Sequence, residues 1–240
     1  MSDRPLSDVR AILFDTFGTV VDWRGSLIGE LSAWGAARGI TADWAGLIDA
    51  WRGAYAPSMD RVRRGELPWT ILDDLHRATL ERLVIQFGIT GLGEAELDWI
   101  NRGWHRLKPW SDSVAGLTRL KQHFIIAPLS NGNVSLLLNM AKAAGIPWDM
   151  ICATELFGHY KPDPETYLGA ARLLGLAPQQ VMMAAAHNGD LAAARACGLR
   201  TAFFARPTEY GPHQVRDFVA DAPWDVIAAD IEDLATRLGC

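Results

Sequence analysis

The stretch Ala11-Ile12-Leu13-Phe14-Asp15-Thr16-Phe17-Gly18-Thr19-Val20-Val21-Asp22 decides the fold of this chain. Its first four residues form an unbroken apolar run, the pattern of a strand buried on both faces in a parallel sheet. The run ends on a carboxylate, Asp15, and Gly18 then permits a sharp turn. An acid is thereby set at the C-terminal tip of a strand, where open α/β sheets bind their ligands. An Asp in that place can also do no more than start a turn, so its meaning depends on what the other strands carry at their tips.

Downstream, from Trp110, apolar runs and helical periodicity alternate. A helix over 114–122 leads to a strand over 124–129 and the polar sequence Ser130-Asn131-Gly132-Asn133. A helix from Val134, a short strand near 150–153 and a loop with Lys161-Pro162-Asp163-Pro164 follow. A helix over 165–174 precedes a strand over 181–186, and His187-Asn188-Gly189-Asp190 opens the helix 191–197. Strands over 201–204 and 225–227 and a helix over 231–238 complete the pattern. Such alternation predicts a Rossmann-like, doubly wound parallel sheet with helices on both faces, an α/β fold.

The region between differs. Leu72, Leu75, Thr79 and Leu83, then Leu97, Ile100, Trp104 and Leu107, keep helical spacing, and glycines divide the stretch into four or five helices with no convincing strand. Because the first strand belongs to the same sheet as the later ones, residues 22–109 are expected as an all-helical cap inserted into a core of residues 1–21 and 110–240. Eight of the ten tryptophans fall between Trp23 and Trp110, the composition of a helical core that could also serve as a lid.

A chain of 240 residues with 49% apolar and 21% charged residues is long enough for one large domain with an insert. The net charge of −5 argues against nucleic acid as a partner. Cys152, Cys197 and Cys240 suggest neither a disulfide frame nor a zinc site. The leading residues have no signal-peptide character and no uncharged run reaches membrane-spanning length, so a soluble cytoplasmic protein without a membrane partner is expected.

Asp15, Ser130-Asn131 and His187-Asn188-Gly189-Asp190 each end a strand, and Lys161 lies just before a helix. Any one of the polar residues could be a helix cap; their recurrence at matching places favours one crevice. Here the chain resembles the haloacid dehalogenase superfamily, and within it the L-2-haloacid dehalogenases, over nearly its whole length. Phe14-Asp15-Thr16-Phe17-Gly18-Thr19, Leu129-Ser130-Asn131-Gly132-Asn133 and Tyr160-Lys161-Pro162-Asp163-Pro164-Glu165-Thr166-Tyr167 are similar to three motifs of that family, and Trp51-Arg52 to its arginine. The resemblance implies Asp15 as nucleophile, Thr19 as its support, and Arg52 on substrate carboxylate or departing halide. It implies hydrolysis of small 2-haloalkanoic acids to 2-hydroxy acids, with halide as the other product. It calls for neither metal nor cofactor.

Two positions depart from the pattern. Phosphatases of the superfamily carry a second acid where this chain has Phe17; a departing halide needs no proton, so an aromatic suits dehalogenation. The last motif reads Ala185-Ala186-His187-Asn188-Gly189-Asp190, with Asp190 retained, no Ser at Ala185, and His187 where an Asn is expected. The expected catalytic set is therefore Asp15, Thr19, Lys161, His187, Asn188 and Asp190, with Asp190 and His187 sharing the handling of water. Thr16, Phe17, Arg52, Ser130 and Asn131 would bind substrate, the last two aided by the following helix N-terminus. Trp51 and Trp69 are candidate pocket walls, and a homodimer is compatible with the sequence. Two other readings stay open: a Mg²⁺-dependent phosphatase using Asp15 and Asp190 as ligands, and a binding protein with a relict site.

Overall fold

A computed structural model describes residues 6–240; the leading segment read for signal-peptide character lies largely outside them. Strand β1 (Ala11–Phe14) pairs in parallel with β4 (Ile125–Ser130) on one side and β6 (Val181–Ala185) on the other. With β5 (Cys152–Ala153), β7 (Arg200–Phe203) and β8 (Val226–Ile227) the sheet runs β5-β4-β1-β6-β7-β8, all parallel. Strand order reverses around β1, which puts Asp15 at the topological switch point.

All four residues of β1 are buried, as its unbroken apolar run requires. Ile12 and Phe14 face one layer, with α6 (Ser113–Leu120), α7 (Val134–Ala144) and α10 (Ile231–Arg237). Leu13 faces the other, with α8 (Pro164–Leu173) and α9 (Asn188–Ala196). The predicted parallel sheet is present, with strand ends shifted by one or two residues. Helix α9 begins at Asn188, so Asn188, Gly189 and Asp190 form its first turn.

Between β1 and α6 the chain is helical: α1 (Trp23–Ala36), α2 (Trp44–Gly53), α3 (Tyr55–Arg63), α4 (Leu72–Gln86) and α5 (Glu94–Asn101). The expectation of no strand at all fails at the edges of this segment. Val21–Asp22 (β2) and Lys108–Pro109 (β3) pair antiparallel and close the insertion at its root. Two residues per strand are too few to leave a periodic signal. Within the segment Trp23, Trp51 and Trp104 are fully buried, and Trp51 and Trp104 meet edge to face at 5.5 Å. Their apolar cluster is continuous with the α7 face of the sheet. Polar contacts join the same two layers: Asp73 accepts Asn133 Nδ2–H at 2.9 Å and lies 3.0 Å from His105 Nε2, whose Nδ1 is 3.1 Å from Asn139. Among the described residues no helix is long and apolar enough to cross a membrane.

Candidate active site

The turn after β1 is shaped by Gly18, at φ +85°, a left-handed conformation that favours glycine. The turn closes by backbone bonds from Val20 and Val21 N–H to Thr16 O. It returns Thr19 beneath Asp15, so that the Thr19 hydroxyl donates to Asp15 Oδ2 at 2.7 Å. Thr19 Oγ1 in turn accepts the Ala186 N–H at 3.0 Å, from the end of β6. Lys161 Nζ lies 2.9 Å from Asp15 Oδ1 and 2.5 Å from Asp190 Oδ2. Tyr167 completes that arm by donating its hydroxyl to Asp190 Oδ1 at 2.5 Å. On the other side His187 Nδ1 is 2.9 Å from Asp15 Oδ2.

These contacts set the charges. Burial alone would push the Asp15 carboxyl up, but the Lys161 ammonium and the hydrogen bonds from His187 and Thr19 hold it far below the usual carboxylate range. Burial likewise disfavours the Lys161 ammonium, and Asp15 and Asp190 more than reverse it, keeping the lysine charged. Asp15 is thus a permanent anion with 11% of its side chain exposed, close to a desolvated nucleophile.

Arg52 comes from the C-terminal turn of α2 and reaches the same cavity as His187, a space of about 550 Å³ with Tyr55 and Tyr210 among its walls. Its guanidinium stacks on Tyr55 at 4.2 Å and lies over Trp23 at 5.3 Å. Nη2 is 3.9 Å from Glu209 Oε1, and Nη1 is buried with no hydrogen-bond partner. A buried guanidinium with unused N–H groups is a ready anion site. Thr16 Oγ1 is also buried and unpartnered. Phe17 lies edge-on to Tyr55, a cavity wall, at 6.3 Å and to Trp104 at 5.8 Å, an aromatic where a phosphatase would hold its second acid.

Several expected residues take other work. Asn188, expected in the chemistry, turns away from Asp15: its side chain donates to Asp217 and Val219 O and accepts from Asp221 N and Trp224 Nε1. That Asn pins the 217–224 segment to the sheet, because an amide with two donors and two acceptor lone pairs can satisfy four loop groups at once. At the N-terminus of α7 the Val134 N–H donates to the Glu155 carboxylate at 2.7 Å. Asn131 Oδ1 accepts the Lys161 N–H at 2.8 Å and Ser130 Oγ accepts the Gly132 N–H at 3.3 Å, so both shape the turn that carries the lysine and the site floor. Asp190 meets Lys161 through one oxygen and accepts the Tyr167 hydroxyl on the other, one contact per oxygen. Trp69 packs on Tyr160 at 4.8 Å, is 36% exposed, and does not line the cavity, and neither does the fully buried Trp51.

The residues not anticipated are Tyr55, Tyr167 and Glu209. Tyr167 stands in the lysine motif, and its spacing of six from Lys161 was the available signal. Glu209 belongs to the irregular segment after β7, where no periodicity points inward. Its root is fixed by Arg206, 8% exposed, which donates to both Asp112 oxygens at 2.8 Å and to Thr19 O at 2.9 Å. The Lys161 ammonium stands between the carboxylates of Asp15 and Asp190 and meets both. Among the described residues no cluster of three acidic, His or Cys side chains could hold a metal.

Comparison with known proteins places this arrangement. The family of haloacid dehalogenase-like hydrolases matches residues 9–198. The crystal structure of the L-2-haloacid dehalogenase PA0810 is 56% identical, covers 96% of this chain and 98% of its own, and superposes with a TM-score of 0.94. The defluorinating L-2-haloacid dehalogenase Rha0230 is 51% identical, with 97% and 96% covered and a TM-score of 0.94. An (S)-2-haloacid dehalogenase of Xanthobacter autotrophicus is 26% identical over 210 residues, 82% of this chain and 76% of that protein. A buried nucleophile-like aspartate at the switch point, matched over most of its length, makes this chain a member of the haloacid dehalogenase-like hydrolases, within the L-2-haloacid dehalogenases.

Proposed function

We propose that this protein hydrolyses small 2-haloalkanoic acids to 2-hydroxy acids through an ester on Asp15. The observation that carries the reading is the Asp15 carboxylate itself: buried, anionic, and held by Lys161, Thr19 and His187 at 2.7–2.9 Å. Oδ2 accepts two hydrogen bonds and Oδ1 one, so Oδ1 keeps a lone pair for attack. It displaces the halogen at the 2-carbon, and the C–X pair leaves with halide. Residues 22–109 act as a cap that excludes water from this step, since a hydrated carboxylate is a poor nucleophile. Arg52 receives the substrate carboxylate or the halide through its unused N–H groups, and the Thr16 hydroxyl is free to join it. Phe17 gives the alkyl group an apolar wall. The likeness to a defluorinating enzyme at 51% identity brings fluoroacids within the proposed substrate range.

The test is a single turnover of (S)-2-chloropropionate in ¹⁸O-water with enzyme in excess. Label is expected in the Asp15 peptide and not in the first product. Label in the product alone means direct attack by water and rejects the mechanism. Chloride release unchanged in excess EDTA is expected from the lysine between the two carboxylates; activity lost and restored by Mg²⁺ favours the phosphatase.

A further inference from the structure

Glu209 has 2% of its side chain exposed, yet its carboxylate points at the site. Oε2 is 2.8 Å from His187 Nε2 and Oε1 accepts the Trp23 indole N–H at 3.0 Å. The same imidazole meets Asp15 Oδ2 through Nδ1 at 2.9 Å. A ring between two carboxylates holds both protons, because each N–H then has an anionic acceptor. Burial opposes that charge, and Glu209 together with the Asp15 hydrogen bond overcomes it, raising His187 well above the ordinary histidine range. Thr19 is constrained in the same sense: its oxygen accepts from Ala186 N–H, and its hydroxyl proton is aimed at Asp15 Oδ2. Two donors therefore converge on Oδ2, the oxygen that becomes the ester carbonyl once Oδ1 has attacked.

We propose that Glu209 is a positioning residue that keeps His187 an imidazolium, so that His187 Nδ1–H and Thr19 Oγ1–H form an oxyanion hole on Asp15 Oδ2 for hydrolysis of the ester. The inference rests on the aspartyl-ester reading above and makes His187 a hydrogen-bond donor instead of a base. Water adds to Cγ and the carbonyl π pair moves onto Oδ2, which the two donors meet at 2.7 and 2.9 Å. The Cγ–Oδ1 bond then breaks, its pair going to Oδ1, which departs with the hydroxy acid beside Lys161. One proton of the water ends on that hydroxyl and the other passes to solvent as Asp15 returns to a carboxylate. Nothing is oxidised or reduced. Esterification removes the Asp15 charge from beside the ring, and Glu209 is the anion that remains to hold the proton. Arg52 faces Glu209 from α2, Lys161 and Asp190 lie beyond Asp15, and Asp49, Tyr55, Tyr210, His213, Arg216 and Asp217 line the cavity around the ring.

The experiment uses the full chain, 2-chloropropionate and rapid quench between pH 5.5 and 9.5. Chloride measures the first half-reaction and the intact mass measures the ester. In the parent protein ester hydrolysis is expected to slow as pH rises and the imidazolium loses its proton. Glu209→Gln keeps the size and the acceptor for Trp23, and it should still give a chloride burst of about one per site. Its hydrolysis step should break at a pH lower by at least about 1.5 units, with a defect growing from about 3-fold at pH 6 to about 100-fold at pH 8.5. His187→Asn, which can donate but cannot act as a base, should hydrolyse the ester at least about 10-fold faster than His187→Ala. Hydrolysis that accelerates with pH in the parent, or His187→Asn no faster than His187→Ala, makes His187 a base and overturns the proposal. Loss of the chloride burst in Glu209→Gln overturns it too. Chloride release by the parent with no ester at any time rejects the aspartyl-ester reading itself, an outcome distinct from an ester with the opposite pH slope.

Discussion

Lys161 is the residue on which the charges of the site balance. Its ammonium touches both Asp15 and Asp190 and is 8% exposed, so no water can replace it at low cost. Lys161→Met leaves two carboxylates facing each other in a dry site. Breaking a buried pair from one side is destabilising, by about 3–5 kcal/mol where the partner cannot be solvated. It also lets the Asp15 carboxyl rise from its depressed range, since the cation is the largest influence holding it down against burial. Lys161→Met is expected to lose at least about 100-fold in halide release and to lose it more steeply as pH falls. A variant with a flat acid limb and near-parental rate would show that Thr19 and His187 suffice to ionise Asp15. Arg52→Ala is expected to remove most of the turnover and to lower the melting temperature while the fold stays intact, because it deletes the cation that stacks on Tyr55 and faces the buried Glu209. Thermal unfolding and steady-state chloride release separate those two effects.

At the scale of elements, the turn after β1 and the segment after β7 are made for each other. A Cβ at residue 18 would overlap the Glu209 carboxylate, and its φ of +85° is itself unfavourable for any side chain. Gly18→Ala is expected to displace Glu209, destabilise the fold by about 1–3 kcal/mol, and slow ester hydrolysis more than halide release. Asn188→Ala is expected to lower stability by about 2–3 kcal/mol through the loss of four hydrogen bonds to the 217–224 segment, with a smaller effect on the chloride burst. A burst abolished with stability intact would restore Asn188 to the chemistry. The sheet and the strand tips were legible in the sequence because parallel strands are buried on both faces and so read as unbroken apolar runs ending in polar residues. Asp15, Thr19, Lys161 and His187 met as expected for that reason. Glu209 was not legible, because an irregular segment has no period to say which side chain points inward. The loop contacts of Asn188 were not legible for a related reason: a helix-opening Asn looks the same whether its amide serves a ligand or a loop 29 residues away.

Across the whole molecule, two buried histidines of opposite character should shape the dependence of stability on pH. His76 lies in the helical layer, 2% exposed, its ring stacked on Trp104 at 4.4 Å with neither nitrogen hydrogen-bonded. Burial pushes it down to about 3 from the ordinary histidine value of 6.5. Between those two values the unfolded chain binds a proton that the folded one refuses, so stability falls as pH falls through that window. His187 is the reverse case. Burial is outweighed by Glu209 and Asp15, and its folded value lies well above 6.5. The stability it lends is complete below 6.5 and is lost as pH rises toward the folded value, because there the folded state holds a proton that the unfolded chain has released. Taken together, the two place the stability maximum near pH 6.5, with one limb belonging to each residue. Asp15 adds loss only below the ordinary carboxylate range, since its own value is depressed. His76→Phe keeps the stacked ring and removes two unsatisfied nitrogens, so it should flatten the acid limb by about 2 kcal/mol between pH 6 and 4.5 and leave the alkaline limb in place. His187→Asn should do the opposite, flattening the limb above pH 6.5 while the acid limb persists. Urea unfolding of the parent and both variants at half-unit pH steps measures each slope. An acid limb unchanged in His76→Phe would mean that His76 is hydrated or paired in solution and titrates there as an ordinary histidine.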